Sequence, residues 1–103
     1  MPGYMIATYD VTDPEGYAKY SPGSLETIMG TIAKHGGKVL VAGGEAHWYA
    51  GERKAVVVVE FPTFEAAKAW EEDPEYGEVR GLRIESTSNR VELVVDGFKP
   101  PSA

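Results

Sequence analysis

The sequence predicts an α+β fold in which one four-stranded antiparallel sheet carries helices on a single face. Residues 54–61 form the most apolar run, with four consecutive valines, and the run is too short to cross a membrane. It therefore predicts a central strand covered on both faces. An apolar stripe at helical spacing follows residue 24, and the predicted elements run strand, helix, strand, strand, helix, strand.

The first third of the chain predicts one strand and two helices. Residues 4–10 are rich in β-formers and predict the first strand. Asp13 before Pro14 is typical of a helix start, because aspartate caps free N–H groups and proline suits the first helical position. Ser21 and Pro22 repeat this signal before the apolar stripe of a second helix, which consists of Leu25, Ile28, Met29, Ile32 and Ala33.

Glycines punctuate the middle of the chain. His35 and the glycine pair after it predict the end of the second helix, where a cationic side chain interacts favourably with the helix dipole. Residues 38–50 predict a second strand, with a bulge at the pair Gly43-Gly44. A turn at 51–53 then leads into the valine strand, which predicts a hairpin between the two strands.

The last third of the chain predicts two helices and a final strand. Thr63 is a good cap for one helix, and Asp73 with Pro74 restarts another over residues 75–85. A turn at Asn89-Arg90 is followed by a strand over residues 91–96, with one apolar face made by Val91, Leu93 and Val95. The predicted elements of the whole chain divide into two strand–helix–strand halves, which together give the ferredoxin-like arrangement.

Length and composition predict one domain and argue against several classes of function. Of the 103 residues, 1–97 are expected to form the domain and 98–103 a tail. A net charge of −6 with scattered basic residues argues against nucleic-acid or membrane partners. No cysteine is present, which excludes disulfides, thiolate nucleophiles and cysteine-bound metal. The chain shows no signal peptide or long apolar run, which predicts a cytoplasmic protein.

The valine strand also predicts a homodimer. It is apolar on both faces, whereas helices cover only one face of such a sheet. Val56 and Val58 would remain on the open face, and burying each of these side chains contributes about 1.5–3 kcal/mol. We therefore expect two copies to pack their sheets face to face.

Several short segments together resemble the domain-of-unknown-function family 1330 (DUF1330). They are DPEGYAKY at 13–20, GGKVLVAGG at 36–44, VEFP at 59–62, AW at 69–70, DPEY at 73–76, and Arg80 with Arg83. The resemblance extends from Tyr4 to Gly97 and implies a dimeric α+β barrel of ferredoxin-like protomers. Superfamily members include cofactor-independent monooxygenases, lactone isomerases and haem-using enzymes, so the fold assigns no activity. Asp73 and Gly77 stand where the family more often has serine and glutamine.

Two arginines on the last predicted helix suggest a binding site. Tyr76, Arg80 and Arg83 are spaced to share one inward helical face. Buried arginines need carboxylate or ligand partners, because an unpaired buried charge is costly. We expect Glu60, the acid on the valine strand, to be the internal partner. One interpretation is an anion-binding cleft that includes Tyr20, with Glu60 as acid or base; the other is a structural Arg–Glu network.

The remaining candidates are a histidine and three aromatic residues. His47 could act as a general base near neutral pH. Tyr17, Tyr20 and Trp70 could line a pocket or pack in the core. We predict no metal site and no cofactor. Two functions stay open: a homodimer that binds or transforms a small acidic or aromatic metabolite, and a non-catalytic structural or regulatory module.

Overall fold

A computed structural model describes residues 1–101, which form a four-stranded antiparallel sheet with helices packed on one face. The strands are β1 (Gly3–Val11), β2 (Lys38–Ala42), β3 (Ala55–Phe61) and β4 (Thr87–Asp96), in the order β2-β3-β1-β4. The helices are α1 (Pro14–Tyr20), α2 (Leu25–Lys34), α3 (Phe64–Glu71) and α4 (Pro74–Glu85). The ferredoxin-like α+β prediction is confirmed, and the valine strand is central. Residues 102 and 103 of the predicted tail lie outside the described residues.

Local capping signals explain where three helices begin. The Asp13 side chain accepts a hydrogen bond from the N–H of Gly16, and Thr63 accepts one from Ala66. Asp73 accepts one from the N–H of Glu75 at 2.9 Å. The second helix departs from its predicted start. Its N-cap is Ser24, because Ser21 instead ends α1 with its N–H bonded to the carbonyl of Tyr17.

The prediction of a second strand over 38–50 is wrong beyond Ala42. Gly43 and Gly44 have φ angles of 78° and 88°, which take the backbone out of the sheet, and residues 43–54 connect β2 to β3. The predicted antiparallel pairing of the two strands is nevertheless present. The predicted turn at Asn89-Arg90 is instead a bulge inside β4, where the register with β1 shifts and Asn89 has a φ of 53°.

The strand register assigns each side chain to one of the two sheet faces. Met5 lies opposite Val59 and Ala7 opposite both Val57 and Glu92, so these residues face the helices. The alternate positions face away from the helices and form an apolar surface that includes Ile6, Val56, Val58, Val91, Leu93 and Val95. We call this surface the open face.

The open face is apolar and partly exposed. Its β4 side chains remain 39–44% exposed, as does Val41 on β2 at 39%. On the other side of the sheet, Phe61, Trp70 and Tyr76 are almost fully buried, and Trp70 stacks on Tyr76 with ring centroids 4.0 Å apart. The helices therefore cover one face of the sheet and leave the open face partly exposed.

None of the helices within residues 1–101 has the length and apolar character that a membrane span requires.

Candidate ligand cavity and its arginine cluster

A cavity of about 360 Å³ lies between α1, α2 and the helix-facing side of the sheet. Its walls are mainly apolar and come from both layers: Met5, Ala7, Val57, Val59, Ile28 and Ile32. Its exposed rim includes Leu25, Met29, Ala42 and Gly43. This volume is at the small end of the range for ligand pockets, which is about 300–1,000 Å³.

Four tyrosines contribute the polar groups of this cavity. The hydroxyls of Tyr9 and Tyr17 lie 2.7 Å apart, and those of Tyr20 and Tyr76 lie 2.8 Å apart. Burial raises the pKa of Tyr9, Tyr20 and Tyr76 above the ordinary value. These side chains therefore stay protonated at neutral pH and present hydroxyl groups, not phenolates.

Arg83 lines the same cavity and is only 2% exposed. Its Nη2 donates to Glu92 at 3.0 Å and lies 3.4 Å from the Tyr76 hydroxyl. Its guanidinium lies over the rings of Tyr9 and Tyr20, at 5.4 and 5.8 Å from their centroids. Its Nη1, however, is buried and has no hydrogen-bond partner among residues 1–101. A buried donor without a hydrogen-bond partner is costly, and the electron-rich faces of the two tyrosine rings offset part of that cost.

Arg83 belongs to a cluster of four charged groups, which we call the arginine cluster: Glu71, Arg80, Arg83 and Glu92. Arg80 Nη2 lies 3.4 Å from Glu92, and Arg80 Nε lies 3.6 Å from Glu71, too far for a hydrogen bond. Burial and the neighbouring carboxylate of Glu92 raise the pKa of Glu71 to about 8. At neutral pH Glu71 is therefore mostly protonated, and the cluster carries one net positive charge.

Neighbouring groups also decide the charge of the other cluster members. Burial alone would raise the pKa of Glu92, but the hydrogen bond with Glu71 and the charges of Arg83 and Arg80 lower it. Burial alone would lower the pKa of Arg83, and its polar neighbours Tyr76 and Glu92 reverse that effect. Both groups are therefore ionised at neutral pH.

Glu60 does not meet the arginines, and its predicted pairing with Arg80 and Arg83 is wrong. Residue parity on β3 places Glu60 on the open face with Val56 and Val58, whereas the arginines lie on the helix side. There it accepts a hydrogen bond from the Tyr4 hydroxyl at 3.0 Å and lies 3.3 Å from Lys38 Nζ. Its predicted role as acid or base stays a prediction, at a place remote from the cavity lining.

The other predicted site residues divide into two groups. Five of them line the cavity: Tyr17, Tyr20, Trp70, Tyr76 and Arg83. Arg80 is not among the residues that line the cavity, and its Nη2 lies 3.4 Å from Glu92. His47 lies in the exposed connection between β2 and β3, where its ring is 5.0 Å from that of Tyr49. The catalytic role of His47 stays a prediction.

Sequence reasoning missed Tyr9, Glu71 and Glu92. Glu92 could have been found from β4, because a residue between Val91 and Leu93 must face away from that apolar row and toward the helices. Neither Tyr9 nor Glu71 carries a comparable local signal. Among residues 1–101, no three His, Asp or Glu side chains are grouped closely enough to hold a metal ion.

A second charged cluster joins the end of α2 to the start of α4. Asp73 lies 2.7 Å from His35 Nε2 and 2.9 Å from Lys34 Nζ, and it caps the N–H of Glu75. The hydrogen bonds from His35, Lys34 and Glu75 lower the pKa of Asp73 well below its usual range. We call this group the Asp73 cluster, and it does not contribute to the cavity lining.

Comparison with known families identifies the chain. The model of the family described as "Domain of unknown function (DUF1330)" matches residues 2–98, so the chain belongs to that family. The resemblance drawn from its short segments is thereby confirmed. No protein of curated function matches the chain.

Solved structures share the fold at low sequence identity. A protein of unknown function from Rhodopseudomonas palustris is 20% identical, with a TM-score of 0.71 over 96% of this chain and 84% of its own. A dimeric ferredoxin-like protein of unknown function from Jannaschia is 10% identical, with a TM-score of 0.72 over 94% and 100%. A Nitrosomonas europaea protein, provisionally named an antibiotic biosynthesis monooxygenase, is 15% identical, with a TM-score of 0.63 over 97% and 94%. These likenesses show the fold alone.

Proposed function

We propose that this DUF1330 protein is a homodimer in which each protomer binds or transforms a small acidic or aromatic metabolite without a cofactor. The observation that carries the proposal is Arg83, a buried cation in a mainly apolar cavity, with its Nη1 unpartnered among residues 1–101. Apolar walls with a few convergent polar groups are typical of small-molecule sites. An anionic ligand in this cavity would gain a favourable charge interaction with Arg83.

The open face supports the assembly. Three adjacent strands present apolar side chains there, and its β4 row remains 39–44% exposed. Covering such a surface with a second copy removes apolar area from water. The fold neighbours from Jannaschia and Bacteroides fragilis are described as dimeric, which agrees with this arrangement. We place the dimer contact on the open face, on the opposite side of the sheet from the cavity.

Ligand binding is tested by native mass spectrometry and by thermal shift with a panel of small acids and aromatics. Met29→Trp narrows the rim of the cavity, and Glu26→Trp places the same bulk on α2 outside the lining. We expect stabilisation of the wild type and of Glu26→Trp by the same compounds, and about tenfold weaker binding by Met29→Trp. Equal binding by both variants would reject the cavity as the site. No bound or stabilising compound at all would favour a non-catalytic structural or regulatory dimer.

The assembly is tested by analytical ultracentrifugation at micromolar concentration. We expect a mass twice the 11.2 kDa of one chain for the wild type. Leu93→Glu introduces a charge on the open face and should give a monomer, because burying an unpaired carboxylate is costly. Ala46→Glu, in the exposed β2–β3 connection, is the matched control and should stay dimeric. A wild-type mass of one chain would reject the dimer.

A further inference from the structure

We infer that the cavity selects a small monocarboxylic acid over a neutral molecule of the same shape, with the carboxylate beside the Arg83 side chain and accepting a hydrogen bond from a tyrosine hydroxyl. This inference rests on the proposed function and adds the chemical class of the head group. It follows from the donors, acceptors and charges around the polar part of the cavity.

The polar groups of the cavity include more hydrogen-bond donors than they use among themselves. Each tyrosine pair has two hydroxyl protons, and the bond between its oxygens uses one of them. One proton from the Tyr9–Tyr17 pair and one from the Tyr20–Tyr76 pair therefore remain for another acceptor. Arg83, which lines the same cavity, adds a positive charge. A ligand with at least two acceptor oxygens would satisfy several of these donors together.

The lining contains no carboxylate that could pair with a cationic head. No aspartate, glutamate or histidine side chain is among the residues that line this cavity in the described chain. An ammonium ligand would meet Arg83 and no carboxylate, so like charges would repel. A neutral amide would bring one oxygen but also an N–H₂ group, which would add donors to a region already rich in them. A carboxylate brings two acceptors and a charge opposite to that of Arg83.

The charges of the arginine cluster favour a ligand with one negative charge. Two arginines face Glu92, and Glu71 on α3 faces Arg80 and Arg83 of α4 and Glu92 of β4. While Glu71 holds its proton, the cluster carries one positive charge, which a single carboxylate neutralises. A dianion such as a phosphate monoester would leave a net negative charge in an apolar cavity, which is unfavourable.

This charge balance gives the acid a pH signature that a neutral ligand lacks. When Glu71 releases its proton, the arginine cluster becomes neutral and loses its attraction for an anion. Because the pKa of Glu71 is about 8, acid affinity should fall as the pH rises from 7 to 9. Glu71→Gln keeps the neutral form at every pH, so its acid affinity should stay level over the same range.

Isothermal titration calorimetry at pH 7 with matched probe pairs tests the inference. The probes are 3-phenylpropanoate with 3-phenylpropanamide, and hexanoate with hexanamide. We expect each acid to bind at least about tenfold more tightly than its amide, as suits a charge-assisted hydrogen bond. Amides that bind as tightly as acids would overturn the carboxylate inference and leave the cavity as a binding site. Failure of all four probes to bind would overturn the carboxylate inference, whereas the proposed function is rejected only by the thermal-shift panel and the native mass spectrum.

Two variants and a control assign the preference to the named groups. Tyr20→Phe keeps the ring and removes the hydroxyl. It should weaken the binding of the acids about fivefold and have little effect on the binding of the amides. The double variant Arg83→Gln/Glu92→Gln removes both charges of one ion pair, so that neither charge stays buried alone, and should abolish the acid preference because Arg83 is the cation that lines the cavity. Arg53→Gln removes an exposed arginine outside the cavity lining and should change nothing. A folded double variant that still prefers acids would overturn the assignment.

Discussion

The two ends of α4 carry two charged clusters that differ in one physical respect. At the N-terminus, the Asp73 carboxylate contacts His35, Lys34 and the backbone N–H of Glu75. The Lys34 side chain is about half exposed to solvent. In the last turns, Arg83 is buried and leaves Nη1 without a partner among residues 1–101. Arg80 Nε and Glu71 Oε1 also lack partners there.

This difference distinguishes a cluster whose contacts are satisfied within the fold from one that leaves buried polar groups unpaired beside a cavity. Capping and partly solvated ion pairs explain each contact of the Asp73 cluster. The arginine cluster combines burial, incomplete hydrogen bonding and a neighbouring cavity, and burial shifts the pKa of Glu71 upward. Such shifts are common at functional sites. Substitutions in the two clusters should therefore differ in their effect on the free energy of unfolding.

The largest effect should come from Arg83→Met, which leaves the buried Glu92 with Arg80 as its cation. We expect the free energy of unfolding to fall by about 3 kcal/mol, measured by urea denaturation. Arg83→Met/Glu92→Leu removes both charges and should recover most of that loss. A loss below about 1 kcal/mol for the single variant would show that the Arg83–Glu92 pair does not hold α4 to the sheet.

The second effect concerns pH and Glu71. The folded chain holds a proton on Glu71 up to about pH 8, whereas an unfolded glutamate releases it near pH 4.3. Because the folded state binds more protons in this window, the stability from Glu71 falls as the pH rises from about 5 to 8. Across this range, we expect the free energy of unfolding of the wild type to fall by on the order of 2 kcal/mol relative to that of Glu71→Gln. Parallel pH profiles of the two proteins would contradict the raised pKa.

Asp73 should show a smaller effect with the opposite dependence on pH. Its lowered pKa means that its contribution is present at neutral pH and is lost as the pH falls below about 4. At pH 7, Asp73→Ala removes both the cap and the ion pairs and should cost about 1.5 kcal/mol. Asp73→Asn keeps a capping side chain and should cost about half as much by thermal denaturation. Equal losses in the two variants would assign the whole effect to charge.

Lys34 should give the smallest effect. Its side chain is 55% exposed, and the surrounding water screens its pairing with Asp73. We expect Lys34→Met to leave the free energy of unfolding almost unchanged in the same urea assay. A loss close to that of Arg83→Met would remove the energetic distinction between the two clusters.

Local signals predicted most of the fold. Asp13, Thr63 and Asp73 start helices where their capping chemistry predicts, because a cap depends on neighbours two or three residues away. The sequence predicts too long a second strand, because a glycine pair within a strand is typical of a bulge, whereas Gly43 and Gly44 adopt positive φ and leave the sheet. The bulge occurs instead at Asn89-Arg90, where a turn was expected.

The candidate site was predicted in part. The inward face of α4 followed from helical spacing, and it does carry Tyr76 and Arg83. The partner of Arg83 was assigned to Glu60 because that acid lies in the most apolar strand. Strand parity, applied consistently, places Glu60 with Val56 and Val58 on the open face and Glu92 opposite it, among the helices.

The sequence by itself determined the elements, their order and the two chemistries of the sheet faces, because caps, proline and period-two alternation act over a few residues. The tertiary structure decided which acid meets Arg83, which tyrosines pair, and that Nη1 is left without a partner among residues 1–101. Those contacts join elements far apart in the chain. They depend on strand register and helix packing, which no local pattern specifies.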